Sequence, residues 1–241
     1  MENINAVIQA RMESSRLPGK ILMKLEGTPI LEHIVRRLDQ VKNINTIIVA
    51  TSDKATDDQV DKFCMSIGVP CVRGSEENVL QRFGKVSELF PADIYIRATS
   101  DNPMIDINLI ANMISYFKNK QLTYTCYKNY PIGSGVEIFS NHSLKEALNN
   151  ANKDYEYEHV TPYMYQTMKG RKVEYYTSEK DDSGIRMTID TQNDLRFAQE
   201  VFKRLYPDNH FFGIEDIKTL LVTEPDLIKI NKDIHQKRLG E

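Results

Sequence analysis

The sequence predicts an α/β fold: a mostly parallel central sheet with helices on both faces, in three layers (α/β/α). Three observations carry this prediction. Short β-branched runs alternate with amphipathic runs through the first half, the pattern of parallel strands joined by crossover helices. The length, 241 residues, suits one large α/β domain. A composition of 41% hydrophobic and 27% charged residues supplies a sizeable core.

Taken in order, Ala6 to Ala10 reads as a buried strand followed by a polar loop. Thr28-Pro29 is expected to open a helix, with Thr as N-cap and Pro first inside, because Ile30, Leu31, Ile34, Leu38 and Val41 follow helical spacing. Thr46 to Ala50 is a β-branched second strand. Thr56 to Gln59 resembles a capping box ahead of Val60, Phe63, Cys64 and Ile67. Pro70 to Val72 is a short strand and Glu76 to Leu89 a helix, with Ser75 a candidate cap. Asp93 to Ala98 is a strand and Ile107 to Phe117 a helix capped by Asp106. The second half is less regular. Tyr124 to Cys126, Val136 to Phe139, Lys172 to Tyr176 and Ile185 to Ile189 are expected strands. Ser143 to Asn149, Glu158 to Met168 and Leu195 to Leu205 are expected helices, and 224–241 a charged peripheral tail.

Composition excludes several classes. A net charge of −3 and a pI near 6.0 disfavour a non-specific nucleic-acid binder, which needs a basic face. Mean hydropathy is −0.45, and no apolar run approaches the roughly 20 residues of a membrane span. No secretory signal pattern is visible at the N-terminus. Cys64, Cys71 and Cys126 are scattered, with no CxxC pair, so buried thiols in a reducing cytoplasm are expected rather than disulfides or structural zinc. His33, His142, His210 and His235 have no motif context and read as surface residues.

The most informative segment is the loop Ala10-Arg11-Met12-Glu13-Ser14-Ser15-Arg16-Leu17-Pro18-Gly19-Lys20. It follows the first strand, and ligands of open parallel sheets sit outside the carboxyl ends of strands. Arg11, Arg16 and Lys20 interleave with small hydroxyl residues and a glycine, the mixture that grips a polyanion. On charge alone a solvated basic loop is an equal reading; the position after the first strand favours a phosphate site. Neither a Walker A loop nor a GxGxxG is present.

These residues closely resemble the N-terminal signature of the sugar-acid cytidylyltransferases, typified by CMP-KDO synthetase, and within that superfamily the SpsF-like group. The likeness continues through Arg73-Gly74-Ser75 with Val79-Leu80, Ser100 to Asp106, Glu158 to Tyr163, and Thr188 to Thr191. It implies a GT-A-like nucleotidyltransferase fold in a single domain over 1–241. About 1–120 would bind CTP, about 121–185 would bind the acceptor and dimerise, and 186–241 would return to the core. It also implies a Mg2+-dependent transfer of CMP from CTP to a small-molecule acceptor, with no nucleic-acid or membrane partner and a homodimeric assembly. By position, Arg11, Arg16 and Lys20 would hold the triphosphate and act in catalysis with Asp101, and Asp101 with Asp190 would carry the metal. Gln9, Ala10, Ser14, Gly19, Arg73, Gly74, Ser75, Thr99 and Ser100 would complete the nucleotide site.

The residues themselves leave alternatives open. Asp101 follows a strand, where it is either a ligand-facing carboxylate or a turn initiator before Asn102-Pro103. Asp190 also fits an ordinary helix N-cap. Magnesium typically takes one or two protein carboxylates plus phosphate oxygens, so a pair suits nucleotidyl transfer.

On the acceptor side the SpsF-like pattern Gly-x-Asp-Val-Glu is altered, with Gly135 at the aspartate position and Glu137 retained. That suggests an anionic acceptor met by Lys128 and Arg186, although a glycine-rich hairpin with a solvent-exposed Glu137 is an equal reading. Glu158 and His159 are expected to open a helix; a lone histidine there more often has a structural or capping role, and it is the family motif that makes the two acceptor-pocket candidates. Tyr155, Tyr157, Tyr163 and Tyr165 are expected to be partly buried. The alternative is a GT-A glycosyltransferase using a nucleotide-sugar donor, which an Asp-x-Asp in place of Asp101-Asn102-Pro103 would favour. A nucleotide-binding regulatory protein with a relic site would lack a loop cation or an aspartate, and none is lost.

Overall fold

The computed structural model of the chain describes residues 2–236. Its central sheet is built from β1 (Ile4–Gln9), β4 (Thr46–Ser52), β5 (Cys71–Gly74), β6 (Ile94–Thr99), β7 (Tyr124–Lys128), β8 (Glu137–Ser140) and β9 (Val173–Thr177). The spatial order is β5-β4-β1-β6-β8-β7-β9. All neighbours pair in parallel except at β8, which runs antiparallel to both β6 and β7. A separate two-stranded ribbon joins β2 (Lys24–Leu25) to β3 (Thr28–Pro29). Alternation along the strands divides the core. Ile4, Ala6 and Ile8 of β1 face one hydrophobic layer, with α1 (Ile30–Asp39), α2 (Asp58–Ser66), α4 (Ile107–Lys120), α7 (Gln192–Leu205) and α8 (Ile214–Thr223). Val7 faces the other layer, with α3 (Val79–Leu89) and α5 (Asn141–Asn150). The three-layer expectation is met.

Local chemistry shifts several boundaries. Thr28 and Pro29 belong to the ribbon, and Pro29 itself precedes the helix in extended conformation. Thr56 to Gln59 does not form a capping box: Asp57 ends a 3-10 turn (Ala55–Asp57) and makes no cap hydrogen bond to α2. The cap of α3 is Asn78, not Ser75; its side chain accepts from Gln81 N at 2.8 Å. Glu158 and His159 close a helix, α6 (Asp154–His159), rather than opening one. The helix stops at Val160, whose φ of 69° breaks the α pattern, and a π-turn (Tyr163–Thr167) follows. Ile185 to Ile189 is not a strand; it carries one isolated bridge, Ile132 to Arg186. Asp106 does cap α4, accepting from Leu109 N at 2.8 Å. Part of the expected peripheral tail is packed: Leu227 and Asn231 are buried, while 237–241 lie outside the described residues.

His33 is a core residue, 2% exposed, not a surface one. Its ring bonds to Leu25 O at 2.9 Å and meets Phe202 and Tyr206 edge-on. Burial, opposed by the Leu25 carbonyl, pushes its pKa down from 6.5 to about 4. A neutral imidazole is therefore required in the fold, and the unfolded chain binds the extra proton first. Stability should rise with pH between about 4 and 6.5 and level off above. Melting temperatures across that window should fall toward acid more steeply for the wild type than for His33→Gln.

Candidate active site

The sheet order sets β1 between β4 and β6, so the loops leaving β1 and β6 emerge side by side at their carboxyl ends. There they border a cleft of about 880 Å³. Gln9, Ala10, Arg11, Ser14, Arg16 and Lys20 line it from the end of β1 and the loop that follows, and Thr99, Ser100 and Asp101 from the end of β6 and its loop. Glu158, His159 and Asp190 complete the lining expected from the sequence. The first loop folds back on itself through Gly19 N donating to Met12 O at 2.8 Å. Gly19 sits at φ 70°, a left-handed conformation that glycine enters without a Cβ penalty, and it starts the 3-10 turn carrying Lys20.

Lys20 is 7% exposed and stands between the two aspartates. Its Nζ donates to Ile189 O at 2.6 Å and Asp190 Oδ1 at 2.8 Å, and lies 3.6 Å from Asp101 Oδ2. The segments that carry the two aspartates, distant in sequence, are joined further by Ile189 N donating to Asp101 O at 2.8 Å. Thr99 Oγ1 donates to Asp101 Oδ1 at 2.6 Å. Asp190 is also paired with Arg16 and with Arg186, each at 2.9 Å. Burial alone would raise the Asp190 carboxyl, but Lys20, Arg16 and Arg186 outweigh it and hold it below the usual carboxylate range. Thr191, the next residue, caps α7 in a reciprocal box with Asp194, so Asp190 is freed to face the cleft. Asp101 and Asp190 present hard carboxylate oxygens on one edge, the donor class magnesium takes. No group of three or more His, Cys, Asp or Glu suited to a metal forms among the described residues. A metal ion held here would draw its remaining oxygens from substrate and water.

The structure does not bring every expected residue to the cleft. Arg73 is committed to Asp58 at 2.6 Å, Ser52 O at 3.0 Å and Lys54 O at 2.8 Å. Gly74 O accepts from Asp53 N, and Ser75 Oγ from Asn78 N. Lys128 is exposed at the end of β7 and does not line the cleft. Arg186 is buried and spends its charge on Asp190 and Asp194, with Gln236 Oε1 as a further acceptor. It therefore holds a cleft carboxylate in place instead of facing an acceptor. Glu137 lies behind the cleft: it pairs with Arg97 and accepts from Tyr124 Oη at 2.6 Å and Thr161 Oγ1 at 2.7 Å. Arg97 in turn donates to Gln9 Oε1 at 2.9 Å, so this network orients the Gln9 amide.

His159 is half-buried in the cleft wall, and burial, opposed by Glu158, lowers its pKa. Tyr155 lines the cleft too, whereas Tyr163 is buried and Tyr165 packs on Tyr124 at 5.2 Å. Sequence reasoning missed Tyr127, Asn102 and Gln236, which also line the cleft. A Cβ at Gly135 would stand 2.5 Å from the Tyr127 ring, so this aromatic occupies the space a side chain at 135 would need. The departure at Gly135 was the available signal; nothing in the sequence pointed from it to Tyr127.

Comparison with known proteins identifies the family. A sequence profile of the cytidylyltransferase family matches residues 5–227. The Bacillus subtilis spore coat polysaccharide biosynthesis protein SpsF is 34% identical over 235 residues, covering 94% of this chain and 97% of that protein. A 3-deoxy-manno-octulosonate cytidylyltransferase of Pelobacter propionicus is 32% identical over 114 residues, 46% of this chain and 43% of that one. The solved structure of a cytidylyltransferase from Leptospira borgpetersenii superposes with a TM-score of 0.89 at 28% identity, over 99% of this chain and all of that one. No helix among the described residues is long and apolar enough to cross a membrane. With a cationic loop and two carboxylates meeting at the carboxyl edge of a parallel sheet, and a profile match spanning nearly the whole chain, this protein belongs to the cytidylyltransferase family.

Proposed function

We propose that the cleft transfers the cytidylyl group of CTP, as its magnesium complex, to an oxygen of a small acidic acceptor, a sugar acid or a phosphorylated metabolite. The product would be an activated precursor for surface polysaccharide or related synthesis. The observation that carries this reading is the Lys20 ammonium, buried between Asp101 and Asp190 where the triphosphate loop meets the second strand loop.

The acceptor oxygen attacks the α-phosphorus in line, a new P–O bond forms, the bond to the β-phosphate oxygen breaks, and pyrophosphate leaves. Such transfers ask the protein for position and charge neutralisation more than covalent chemistry. Arg11 and Arg16 have exposed side chains that can close on phosphate oxygens, and Arg16 must exchange its pair with Asp190 to do so. Lys20 is held rigidly, so its charge is in place before the reaction begins. Asp101 and Asp190 would hold magnesium, which when bound would supply neutralisation of the charge that develops on the phosphates. The missing side chain at Gly135, backed by Tyr127, removes a carboxylate from the acceptor side and supports an anionic acceptor. The name carried by the octulosonate enzyme supports a sugar-acid acceptor, and that carried by SpsF supports polysaccharide synthesis. They do not favour the glycosyltransferase alternative.

The test is pyrophosphate release with Mg2+ and each of the four nucleoside triphosphates, against a panel of sugar acids and sugar phosphates. CTP alone should support release, and only with an acidic acceptor. Thermal stabilisation by UDP-sugars with no response to CTP would contradict the proposal.

A further inference from the structure

We infer that Asp57 is a positioning residue for the phosphate-binding loop: its buried carboxylate fixes the Met12 peptide so that Arg11 and Arg16 are presented to the triphosphate.

Asp57 is 1% exposed, yet its carboxylate does not serve the helix it precedes. Oδ1 accepts from Met12 N at 2.7 Å, across 45 residues of sequence. Oδ2 accepts from Ser52 N at 3.1 Å and Ser52 Oγ at 2.5 Å, at the end of β4. The other side of Met12 is fixed as well, since Met12 O accepts from Gly19 N at 2.8 Å. The loop is thus pinned at the residue that follows Arg11, between the strand that enters it and the turn that delivers Lys20.

All three groups facing Asp57 are donors, so only a group that accepts on both atoms satisfies them. Asparagine, nearly the same in shape, would turn its NH2 toward either Met12 N–H or the Ser52 donors and leave one of them unpaired. A second buried group stands nearby. Arg82 is 1% exposed, with Nε and Nη1 lacking hydrogen-bond partners in the structure. Burial, then Arg11, lower its pKa to about 10, with Asp57 foremost among the carboxylates opposing that shift. The negative charge of Asp57 cannot itself attract a triphosphate. Its value to nucleotide binding is geometric, and that separates the inference from a simple charge account.

This inference rests on CTP being the ligand of the cleft. The experiment is calorimetric titration of CTP with Mg2+ into wild type and Asp57→Asn at fixed ionic strength, with melting curves to confirm folding. Positioning predicts a Kd raised about tenfold in Asp57→Asn. Loss of a repelling charge alone predicts tighter binding, and a purely structural role predicts a lower melting temperature at unchanged Kd; either result overturns the inference. No CTP binding by the wild type would instead remove the reading beneath it. Should Asp57→Asn fail to fold, hydrogen exchange of the Met12 amide in the wild type decides: strong protection is expected, and free exchange would contradict the clamp.

Discussion

Lys20→Ala is expected to reduce CTP-dependent pyrophosphate release about 10²–10³-fold while leaving the fold intact, the usual loss when one preorganised stabilising donor is deleted. The size follows from where the ammonium sits. It is 7% exposed and within 4 Å of both aspartates and the Ile189 carbonyl, so no water of comparable freedom can replace it. Its removal leaves Asp101 and Asp190 without the cation between them, at the point where the proposed function places the phosphates. Binding should weaken less than turnover, because Arg11 and Arg16 remain to hold the nucleotide, whereas Lys20 is the fixed charge nearest both carboxylates. Steady-state kinetics of pyrophosphate release, with circular dichroism to confirm folding, measure this. Activity within about threefold of wild type would remove Lys20 from the mechanism.

Asp190→Asn should cost a comparable factor, about 10²-fold or more, and should raise the Mg2+ concentration needed for half-maximal activity. Asp190 is the common partner of Lys20, Arg16 and Arg186. Neutralising it leaves three guanidinium and ammonium groups with reduced compensation, so CTP binding without metal should tighten while turnover falls. That opposite movement distinguishes a metal carboxylate from a structural cap, which would lower stability and leave metal dependence alone. Because Lys20 and Asp190 touch at 2.8 Å, their double substitution should cost much less than the product of the single losses.

The fold and the cationic loop were legible because their signals are local. Alternating β-branched and amphipathic segments mark the strands and crossover helices of the first half, and the spacing of Arg11, Arg16 and Lys20 is contiguous. Asp101 and Asp190 were legible through placement at element junctions and through the family resemblance. The rest depends on contacts between distant segments. Thr56 to Gln59 has the residue types of a capping box, and nothing in that pattern singles out Asp57; its actual partner, Met12 N, is brought near by the β1–β4 pairing. Arg186 read as an acceptor cation because a lone arginine carries no sign that Asp190 and Asp194 will enclose it. That Glu158 and His159 end a helix instead of opening one is not legible, because the break at Val160 is a matter of backbone conformation that no residue type there announces. His33 read as surface because its aromatic neighbours arrive from α7 and beyond, almost the whole chain away.

The claim on which the rest depends is that the loop after β1 and the two aspartates form one site for the triphosphate of CTP. A crystal structure of the protein with CTP and Mg2+ tests it most directly. Phosphate oxygens are expected within hydrogen-bonding distance of Arg11, Arg16 and Lys20, with Arg16 released from Asp190 and metal density beside Asp101 and Asp190. Triphosphate density elsewhere, with the Arg16–Asp190 pair unbroken, would contradict it.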